Sequence, residues 1–482
     1  MIRISAIRVV FVLVSALALS FTTIAAAQFE TRGRFVAGPS PTWIAVGDFN
    51  HDGKPDLVVT APQGVTGSVV ILLGNGDGTF QEGKSYRAGI GPFSVAIADF
   101  NGGGNLDLAI ANELSPYLTI LLGNGDGTFH YGPQSPKTPS FEQTVMVGDF
   151  NGDRIPDILA LSTSNPCMCI SVLLGNGDGT FQEAITTEPT FAMQAVGMGD
   201  FNGDGQLDLA TAGTFGFGSG VNILLGNGDG TFTLGANYPG DTAPAAIAVA
   251  DFNGDHNLDL AIANSEGVGI SVMLGNGNGT FQPAVDYPIP FSVWVTAADV
   301  NGDHELDLIV ANDVISGRHN SSGATVFLGN GDGTFQQPGK FYQAEQETSY
   351  VAVGDFNSDR KPDLVITDFR FDDVVVMLNT GVVSFAPTTM LNFQKQAVGT
   401  TSGPQTVTLT NTGTTALKIA SMKASAEFAV TSTCGANVAA GAKCTISVTF
   451  SPTQKGARQG TITIIDSASS KPQVIDLFGT GT

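Results

Sequence analysis

Acidic and amide side chains recur in one nine-residue pattern, D-x-N-x-D-x-x-x-D, seven times along the 482-residue chain. Ca²⁺ prefers about six to eight hard oxygen ligands in a flexible shell. Alternate residues of a tight loop turn their side-chain oxygens inward, so the first, third and fifth positions can converge on one cation. The seventh position can add a backbone carbonyl, and the ninth aspartate can close the shell with both oxygens. The pattern therefore predicts a calcium loop in each copy.

The seven predicted sites share this ligand set, with one departure. They comprise Asp48, Asn50, Asp52 and Asp56; Asp99, Asn101 and Asp107; Asp149, Asn151, Asp153 and Asp157; Asp200, Asn202, Asp204 and Asp208; Asp251, Asn253, Asp255 and Asp259; Asp299, Asn301, Asp303 and Asp307; and Asp355, Asn357, Asp359 and Asp363. The second set has Gly103 at its fifth position, so we expect its site to be the weakest. The alternative, a simple turn, does not need carboxylates that repel each other without a cation. No Cys or His occupies a repeated ligand position, which disfavours Zn²⁺.

Two markers divide most of the chain into seven similar units. The segment D-F-N, or D-V-N at Asp299, recurs at spacings of 51, 50, 51, 51, 48 and 56 residues, and LGNGDGTF or a variant follows it in each unit. Each unit holds four short apolar runs bounded by Gly, Asn or Asp, which is typical of β-strands. The Asn-Gly-Asp-Gly segment suits a tight hairpin because its residues tolerate positive φ. Four strands in each of seven successive units predict an all-β, seven-bladed β-propeller, with a linear β-solenoid as the alternative.

The segment before the first unit resembles the last run of a unit. Phe29–Gly38 aligns with Phe80–Gly89, sharing the phenylalanine and the Ala-Gly end. We expect this segment to supply the fourth strand of the last unit, which would close the propeller. The run after Leu378 could compete for the same edge.

The combination of DFNxDxxxD with LGNGDGTF resembles the FG-GAP/VCBS repeat family, which includes the integrin α-subunit propeller, over about residues 29–390. The resemblance implies a propeller with calcium bound in the loop between the first and second strands of each blade. In that family the metals hold the blade loops and perform no chemistry, so the resemblance implies a structural role for calcium.

A second domain is predicted at residues 392–482, after a propeller at 28–391. Thr, Ser, Ala and Val alternate there with period two, which predicts an immunoglobulin-like β-sandwich and resembles the ASH/HYDIN-like modules. Cys434 and Cys444 flank a short connection, and we expect a disulfide between them in an exported protein. Cys167 and Cys169 are only two residues apart, so either a strained disulfide or free thiols are possible.

The first 27 residues predict a signal peptide, with Arg3 and Arg8 before an apolar run and Ala25–Ala27 before the cut. The alternative is an uncleaved membrane anchor. We therefore expect a secreted, periplasmic or cell-surface protein without membrane insertion after cleavage. The net charge of −23 and the lack of any Lys/Arg cluster argue against nucleic acid as a partner.

Aromatic residues mark one candidate ligand site. Trp43, Trp294 and Tyr350 each lie five residues before the first aspartate of a loop, in units one, six and seven. These units would be neighbours in a closed propeller, and the three residues would begin innermost strands on the face opposite the calcium loops. The rings could stack on a sugar or dock a peptide, or they could pack between blades. Loops on this face also vary most between units.

The chain shows no nucleophile elbow, zinc-protease motif or phosphate loop. We therefore expect no enzyme, but a calcium-stabilised binding or adhesion module for an extracellular carbohydrate or protein ligand. The alternatives are a secreted propeller enzyme acting on polysaccharide and a purely structural envelope component. The sequence does not identify the ligand.

Overall fold

The structure is a computed structural model that describes residues 29–482, except residues 65, 164–166, 190–192, 214–219, 240–242, 267–268, 314, 317–318, 321, 346, 380–382, 387–389, 412–415 and 468–471. The predicted signal peptide lies outside the described residues. The described part of the chain is all-β and includes no helix that is long and apolar enough to cross a membrane. It divides into two compact units, Ala26–Val382 and Val383–Thr482.

The first unit consists mainly of four-stranded antiparallel sheets, numbered here in chain order. The described chain begins with β1 (Phe29–Val36). Sheet one contains β2 (Trp43–Gly47), β3 (Asp56–Ala61), β4 (Ser68–Leu72) and β5 (Lys84–Arg87); sheet two contains β6 (Pro92–Ala98), β7 (Asp107–Asn112), β8 (Thr119–Gly123) and β9 (Phe129–Tyr131); sheet three contains β10 (Thr144–Gly148), β11 (Asp157–Leu161), β12 (Ile170–Leu173) and β13 (Ile185–Thr187).

Four further sheets follow with the same strand order. Sheet four contains β14 (Ala195–Gly199), β15 (Asp208–Gly213), β16 (Gly220–Gly226) and β17 (Phe232–Pro239); sheet five contains β18 (Pro244–Ala250), β19 (Asp259–Asn264), β20 (Ile270–Met273) and β21 (Val285–Tyr287). Sheet six contains β22 (Ser292–Ala298), β23 (Asp307–Asn312), β26 (Ser322–Phe327) and β27 (Lys340–Glu345), with a small hairpin of β24 (Ile315–Ser316) and β25 (His319–Asn320) inserted; sheet seven contains β28 (Val351–Gly354), β29 (Asp363–Asp368), β30 (Asp373–Asn379) and β1.

Strand β1 completes sheet seven, as the sequence predicts. It pairs antiparallel with β30, with Phe29 opposite Asn379 and Val36 opposite Asp373. Arg34 on β1 reinforces the pairing, because its guanidinium lies 3.2 Å from the buried carboxylate of Asp368 and 3.1 Å from that of Asp373. The first and last parts of this unit are thus held in one sheet.

Burial explains the composition of the strands. The second strand of each sheet is buried along its whole length, so after its first aspartate it is mainly apolar on both faces, without alternation. Apolar cores fill the spaces between successive sheets in the described chain. A further core joins sheets seven and one, with Val365 and Phe356 packed near Leu57 and Val59. Each sheet therefore packs on two neighbours.

The second unit consists of two sheets. One contains β31 (Ser384–Ala386), β33 (Gln405–Thr410), β37 (Lys443–Phe450) and β35 (Phe428–Ser432); the other contains β32 (Met390–Gln396), β39 (Gln473–Gly481), β38 (Gly456–Asp466), β34 (Leu417–Ala424) and β36 (Asn437–Val438). Their buried side chains alternate along the strands, as expected for a sheet with one face in the core. This unit starts at Val383, nine residues before the predicted boundary at 392, because β31 pairs with β33.

Both cysteine pairs form disulfides. Cys434 and Cys444 are joined, as predicted, and the bond links the segment just after β35 to β37. Cys167 and Cys169 are also joined, so of the two alternatives the structure has the disulfide rather than free thiols.

Candidate functional site

Side-chain oxygens of the acidic loops fold each loop onto itself. In the loop of sheet one, the Asp48 carboxylate accepts the backbone N–H groups of Asp52 and Gly53 at 3.1 and 2.9 Å. The Asn50 amide oxygen also accepts the N–H of Asp52, and the Asp52 carboxylate accepts that of Lys54, both at 3.0 Å. These bonds are the local turns that Asp and Asn favour. Backbone N–H groups of the loop itself therefore stabilise its conformation by donating to these side-chain oxygens.

The ninth aspartate of every loop is fully buried and binds two distant backbone groups. Asp56 accepts the N–H of Phe49 at 2.8 Å with one oxygen and the N–H of Gly74 at 2.7 Å with the other. The equivalent acceptors are Asp107, Asp157, Asp208, Asp259, Asp307 and Asp363, with distances of 2.7–3.0 Å. The carboxylate thus joins the end of the first strand to the end of the third.

Burial raises the pKa of these ninth aspartates. It raises the pKa of Asp259 to about 6 and that of Asp307 and Asp363 to about 7, although both backbone N–H bonds oppose the shift. The first and fifth aspartates of the same loop raise the pKa further through charge repulsion. The negative charges of each loop are therefore close enough to disfavour one another.

The first glycine of LGNGDGTF is needed at this junction. A Cβ at Gly74 would lie 2.2 Å from the carbonyl oxygen of Pro55, the residue before the buried aspartate, so a side chain at this position of sheet one would require the local backbone to shift. Sheet seven has Asn379 at this place, and its N–H still binds Asp363 at 2.7 Å. The hydrogen bond is thus retained even where the glycine marker is lost.

The phenylalanine of D-F-N connects each loop to the next sheet. Phe49 accepts the N–H of Gly127 from the Asn-Gly-Asp-Gly turn of sheet two at 2.9 Å, and its ring packs edge-on against Phe129 at 5.5 Å. The same ring pairing joins Phe100 to Phe181, Phe150 to Phe232, Phe201 to Phe281, Phe252 to Phe335, and Phe356 to Phe80. The two sequence markers therefore meet between neighbouring sheets, including sheets seven and one.

The loop of sheet two has the same backbone hydrogen bonds although its fifth position lacks a carboxylate. The N–H of Gly103 donates to Asp99 at 3.0 Å and to Asn101 at 2.7 Å, as the aspartate at this position does elsewhere. Across the described residues, no group of three or more His, Cys, Asp or Glu side chains is arranged to hold a metal ion. Calcium coordination by the seven ligand sets stays a prediction.

The three predicted aromatic residues lie together on the face opposite the acidic loops. Ring centroids are 4.7 Å apart for Trp43 and Trp294, 4.6 Å for Trp43 and Tyr350, and 4.2 Å for Trp294 and Tyr350. The rings are half-buried and pack against one another, and burial raises the pKa of Tyr350. Their mutual packing covers much of the surface that a sugar ring would use. The indole N–H of Trp294 is buried without an acceptor in the described chain.

Exposed apolar side chains lie on the same face of the first unit as this aromatic cluster. We call the surface formed by the connections between second and third strands, and between successive sheets, the variable face. Ile90, Leu114, Tyr117, Met168, Phe291, Phe369 and Phe371 are all exposed there, from 40% for Phe369 to 60% for Leu114. Among the described residues, the acidic loops and the Asn-Gly-Asp-Gly turns expose no large apolar side chain. This asymmetry could not be predicted from the sequence, because the exposure of a side chain cannot be recognised from residue type alone.

A buried carboxylate on the connection into sheet three was not anticipated. Glu142 is fully buried, and neither oxygen has a well-oriented donor in the described chain. The nearby Thr138 hydroxyl donates to the carbonyl of Ser140 at 3.0 Å. Burial raises the pKa of Glu142 to about 7, and Thr138 opposes the shift only in part. The side chain is thus largely protonated in slightly acidic solution.

Comparison with known proteins identifies both units. The model of the FG-GAP-like repeat matches residues 48–110, 99–160, 149–211, 200–262, 251–310 and 311–366. The ASH model, described as "Abnormal spindle-like microcephaly-assoc'd, ASPM-SPD-2-Hydin", matches residues 380–474. One similar solved structure is the ASH / PapD-like domain of human CEP192 (PapD-like domain 7), at 15% identity and a TM-score of 0.19, covering 22% of this chain and 89% of that one. No curated protein matches the chain.

The first prediction separates the structural role of the ninth aspartate from metal binding. In excess chelator, Asp157→Asn should lower the free energy of unfolding by about 3 kcal/mol, because an amide group would face the N–H of Phe150. The matched variant Asp153→Asn removes an exposed carboxylate but keeps an acceptor for Ile155, and should cost less than about 1 kcal/mol. Denaturant unfolding measures both. Equal losses would contradict the assigned role.

The second prediction concerns pH. The folded chain holds a proton on Glu142 up to about pH 7, whereas an unfolded glutamate loses it at about pH 4.3. The stability that this proton linkage provides is therefore full below about pH 4 and is lost as the pH rises through 7. The free energy of unfolding of Glu142→Gln minus that of the parent chain should therefore increase by about 3 kcal/mol when the pH is raised from 4 to 8. A constant difference across that range would show that Glu142 ionises normally.

Proposed function

This chain belongs to the FG-GAP-like repeat family and carries a C-terminal ASH domain, and from that premise we propose that it is a secreted binding or adhesion module. Its first unit would be a calcium-stabilised, seven-bladed β-propeller that binds an extracellular ligand through the variable face. The proposal assigns no catalytic step to the chain. The observation that carries it is the concentration of exposed apolar side chains on one face.

Packing between the sheets supports the propeller. Every sheet shares an apolar core with the next one, and the core between sheets seven and one repeats the same pattern. The N–H of Gly78 in sheet one donates to the carbonyl of Phe356 in sheet seven at 2.7 Å, as Gly127 of sheet two does to Phe49. A linear solenoid would leave its first and last repeats apart, so these contacts favour a closed arrangement.

The chemistry of the acidic loops supports calcium as the bound cation. Each loop offers carboxylate and amide oxygens, and in the loop of sheet one each oxygen of Asp48 and the amide oxygen of Asn50 accepts a single backbone N–H, which leaves a second acceptor position on each. Charge repulsion already raises the pKa of the ninth aspartate, and a bound cation would remove that repulsion. The residues that would hold it are the first, third, fifth and ninth of each loop, without the fifth in the second loop, where Gly103 has no side-chain oxygen. Calcium would supply structural charge neutralisation there.

Exposed side chains of the variable face favour a protein ligand over a carbohydrate. Aromatic residues and methionine are enriched in the cores of protein interfaces, and Tyr117, Met168, Phe369 and Phe371 supply both types. Sugar recognition instead needs a free aromatic face together with polar partners, whereas the three clustered rings pack on each other. Binding to a carbohydrate is the second outcome that the array experiment below can give.

Chelation tests the calcium proposal. Because calcium would bind the folded state preferentially, the melting temperature of residues 28–482 should be lower in excess chelator than in millimolar calcium. Gly103→Asp restores the missing fifth carboxylate of the second loop and should enlarge the gain that calcium produces. Differential scanning calorimetry of both proteins measures this. Melting temperatures that do not respond to calcium in either protein would overturn the assignment.

An array experiment tests the binding face. The labelled mature chain would be applied, in millimolar calcium, to separate fields of printed glycans and purified extracellular proteins. Leu114→Ser/Phe369→Ser/Phe371→Ser should lose the signal by about tenfold or more, because these residues would lie at the interface. The control Tyr131→Ser/Leu234→Ser/Val285→Ser alters equally exposed residues of outer strands and should keep it. No signal on either field, or equal loss in both variants, would contradict the proposal.

A further inference from the structure

Two exposed phenylalanines lie on connections of sheets six and seven, on the variable face. Phe291 precedes β22 and is 44% exposed, and Phe369 follows β29 and is 40% exposed. The carbonyl of Phe291 accepts the N–H of Asp313 at 3.0 Å, and the N–H of Phe369 donates to the carbonyl of Glu347 at 3.1 Å. The backbone of each phenylalanine is therefore bonded directly to an acidic residue.

Ser322, the first residue of β26, joins the two acidic residues. Its hydroxyl donates to the Asp313 carboxylate at 3.2 Å and accepts the N–H of Glu347, also at 3.2 Å. Hydrogen bonds thus connect five residues in one order, which we call the junction row: Phe291, Asp313, Ser322, Glu347 and Phe369. The row has an apolar ring at each end and two carboxylates between the rings.

The carboxylates of the junction row are close enough to repel each other. Burial raises the pKa of Asp313, and the charge of Glu347 raises it further, although the hydroxyl of Ser322 opposes the shift. The guanidinium of Arg370 lies 3.9 Å from the Glu347 carboxylate, which is too far for a hydrogen bond, and is 57% exposed. Because such an exposed ion pair contributes little, the row can still attract a cation from a partner.

Phe291 and Glu347 occupy a backbone position that favours glycine. Each lies eight residues before the first aspartate of its acidic loop and has a φ of 55°, and the equivalent residue of sheet two is Gly91, with a φ of 69°. Glycine adopts this left-handed conformation without strain, whereas bulky residues rarely adopt it. The backbone alone would therefore favour glycine at both places, and strain of this kind is concentrated at binding and catalytic sites.

A basic side chain between two apolar ones is complementary to this order of rings and carboxylates. Lys and Arg carry a charged head on an apolar stem, and aromatic faces attract cations. We propose that the junction row binds a basic side chain of a protein partner, with apolar side chains on either side of it packed on Phe291 and Phe369. This inference rests on the proposed function, because it names the chemistry of the protein ligand of the variable face.

A printed library of capped peptides tests the occupant. The labelled mature chain, in millimolar calcium and low salt, is applied to peptides in which two leucines flank a central lysine at several spacings. Lysine peptides should bind, and norleucine or glutamate in place of the lysine should reduce the signal by about tenfold or more, because the complementary charge is lost. Salt at about 0.5 M should weaken the lysine signal. Equal binding of lysine and norleucine peptides, or no binding of any peptide, would overturn the proposal.

Charge variants locate the binding of the lysine peptides. Asp313→Asn/Glu347→Gln should weaken it by roughly tenfold, and Arg370→Gln, which removes a competing cation, should strengthen it by about twofold. The control Glu82→Gln/Glu183→Gln removes two exposed carboxylates that lie between a turn and a fourth strand, and it should bind as the parent does. The melting temperature of each variant checks folding. Unchanged binding in the first variant, or an equal loss in the control, would overturn the site.

The array of extracellular proteins separates failure of this site from failure of the proposed function. A retained protein signal without any preference for lysine peptides would overturn the junction row and leave the variable face as the binding surface. No protein signal, with lysine peptides still bound through Asp313 and Glu347, would overturn the proposed function and leave the junction row as a site for basic side chains.

Discussion

One buried carboxylate in each repeat determines how the strands and loops of the first unit fit together. The ninth aspartate of the acidic loop accepts two backbone N–H groups, one from the loop itself and one from the end of the third strand, as Asp56 does with Phe49 and Gly74. A carboxylate that accepts two such bonds is much better placed in the interior than an unpaired one. Removing it would leave two buried donors without an acceptor. The strand arrangement of each sheet depends on this group.

The same loop also connects neighbouring sheets, and this explains why the two sequence markers recur together. The backbone of Phe49 donates to its own sheet through Asp56 and accepts from the next sheet through Gly127, while its ring packs on Phe129. Sheet six has Val300 at the phenylalanine position, and there Phe29 and Tyr342 supply a ring contact to sheet seven instead. The contacts that the two sequence markers make between neighbouring sheets therefore lie on the face of the acidic loops. The opposite, variable face is left free to differ between units, which suits ligand binding.

The sequence was sufficient to predict the repeat, the four strands of each unit and the pairing of the segment from Phe29 with the last sheet, because regular spacing and strand patterning carry that information. It also predicted that Trp43, Trp294 and Tyr350 meet. It did not reveal the hydrogen bonds of Asp56, since a carboxylate that binds a cation and one that binds backbone N–H groups have the same sequence signature. Gly74 and Gly127, the donors, lie 18 and 78 residues away from their partners Asp56 and Phe49, and backbone donors have no residue type.

The predicted start of the second unit, residue 392, lies nine residues after the start in the structure, Val383, for a similar reason. Composition changes near Asn392, but Ser384–Ala386 already pairs with Gln405–Thr410, and so short a strand carries no alternation to mark it. The burial of Glu142 could not be predicted either, because a single glutamate between serine and threonine residues is typical of an exposed loop. In both cases tertiary contacts, and not local preference, decide the structure.

Hydrogen exchange at single-residue resolution tests the central claim most directly, namely that the buried aspartates hold the loops through backbone bonds. The amides to follow in excess chelator are those of Phe49, Phe150 and Phe252, which donate to the ninth aspartates of their loops. The account predicts protection close to that of the buried second strands, such as Asp157–Leu161. Rapid exchange of these amides in chelator, with protection restored only by calcium, would contradict it.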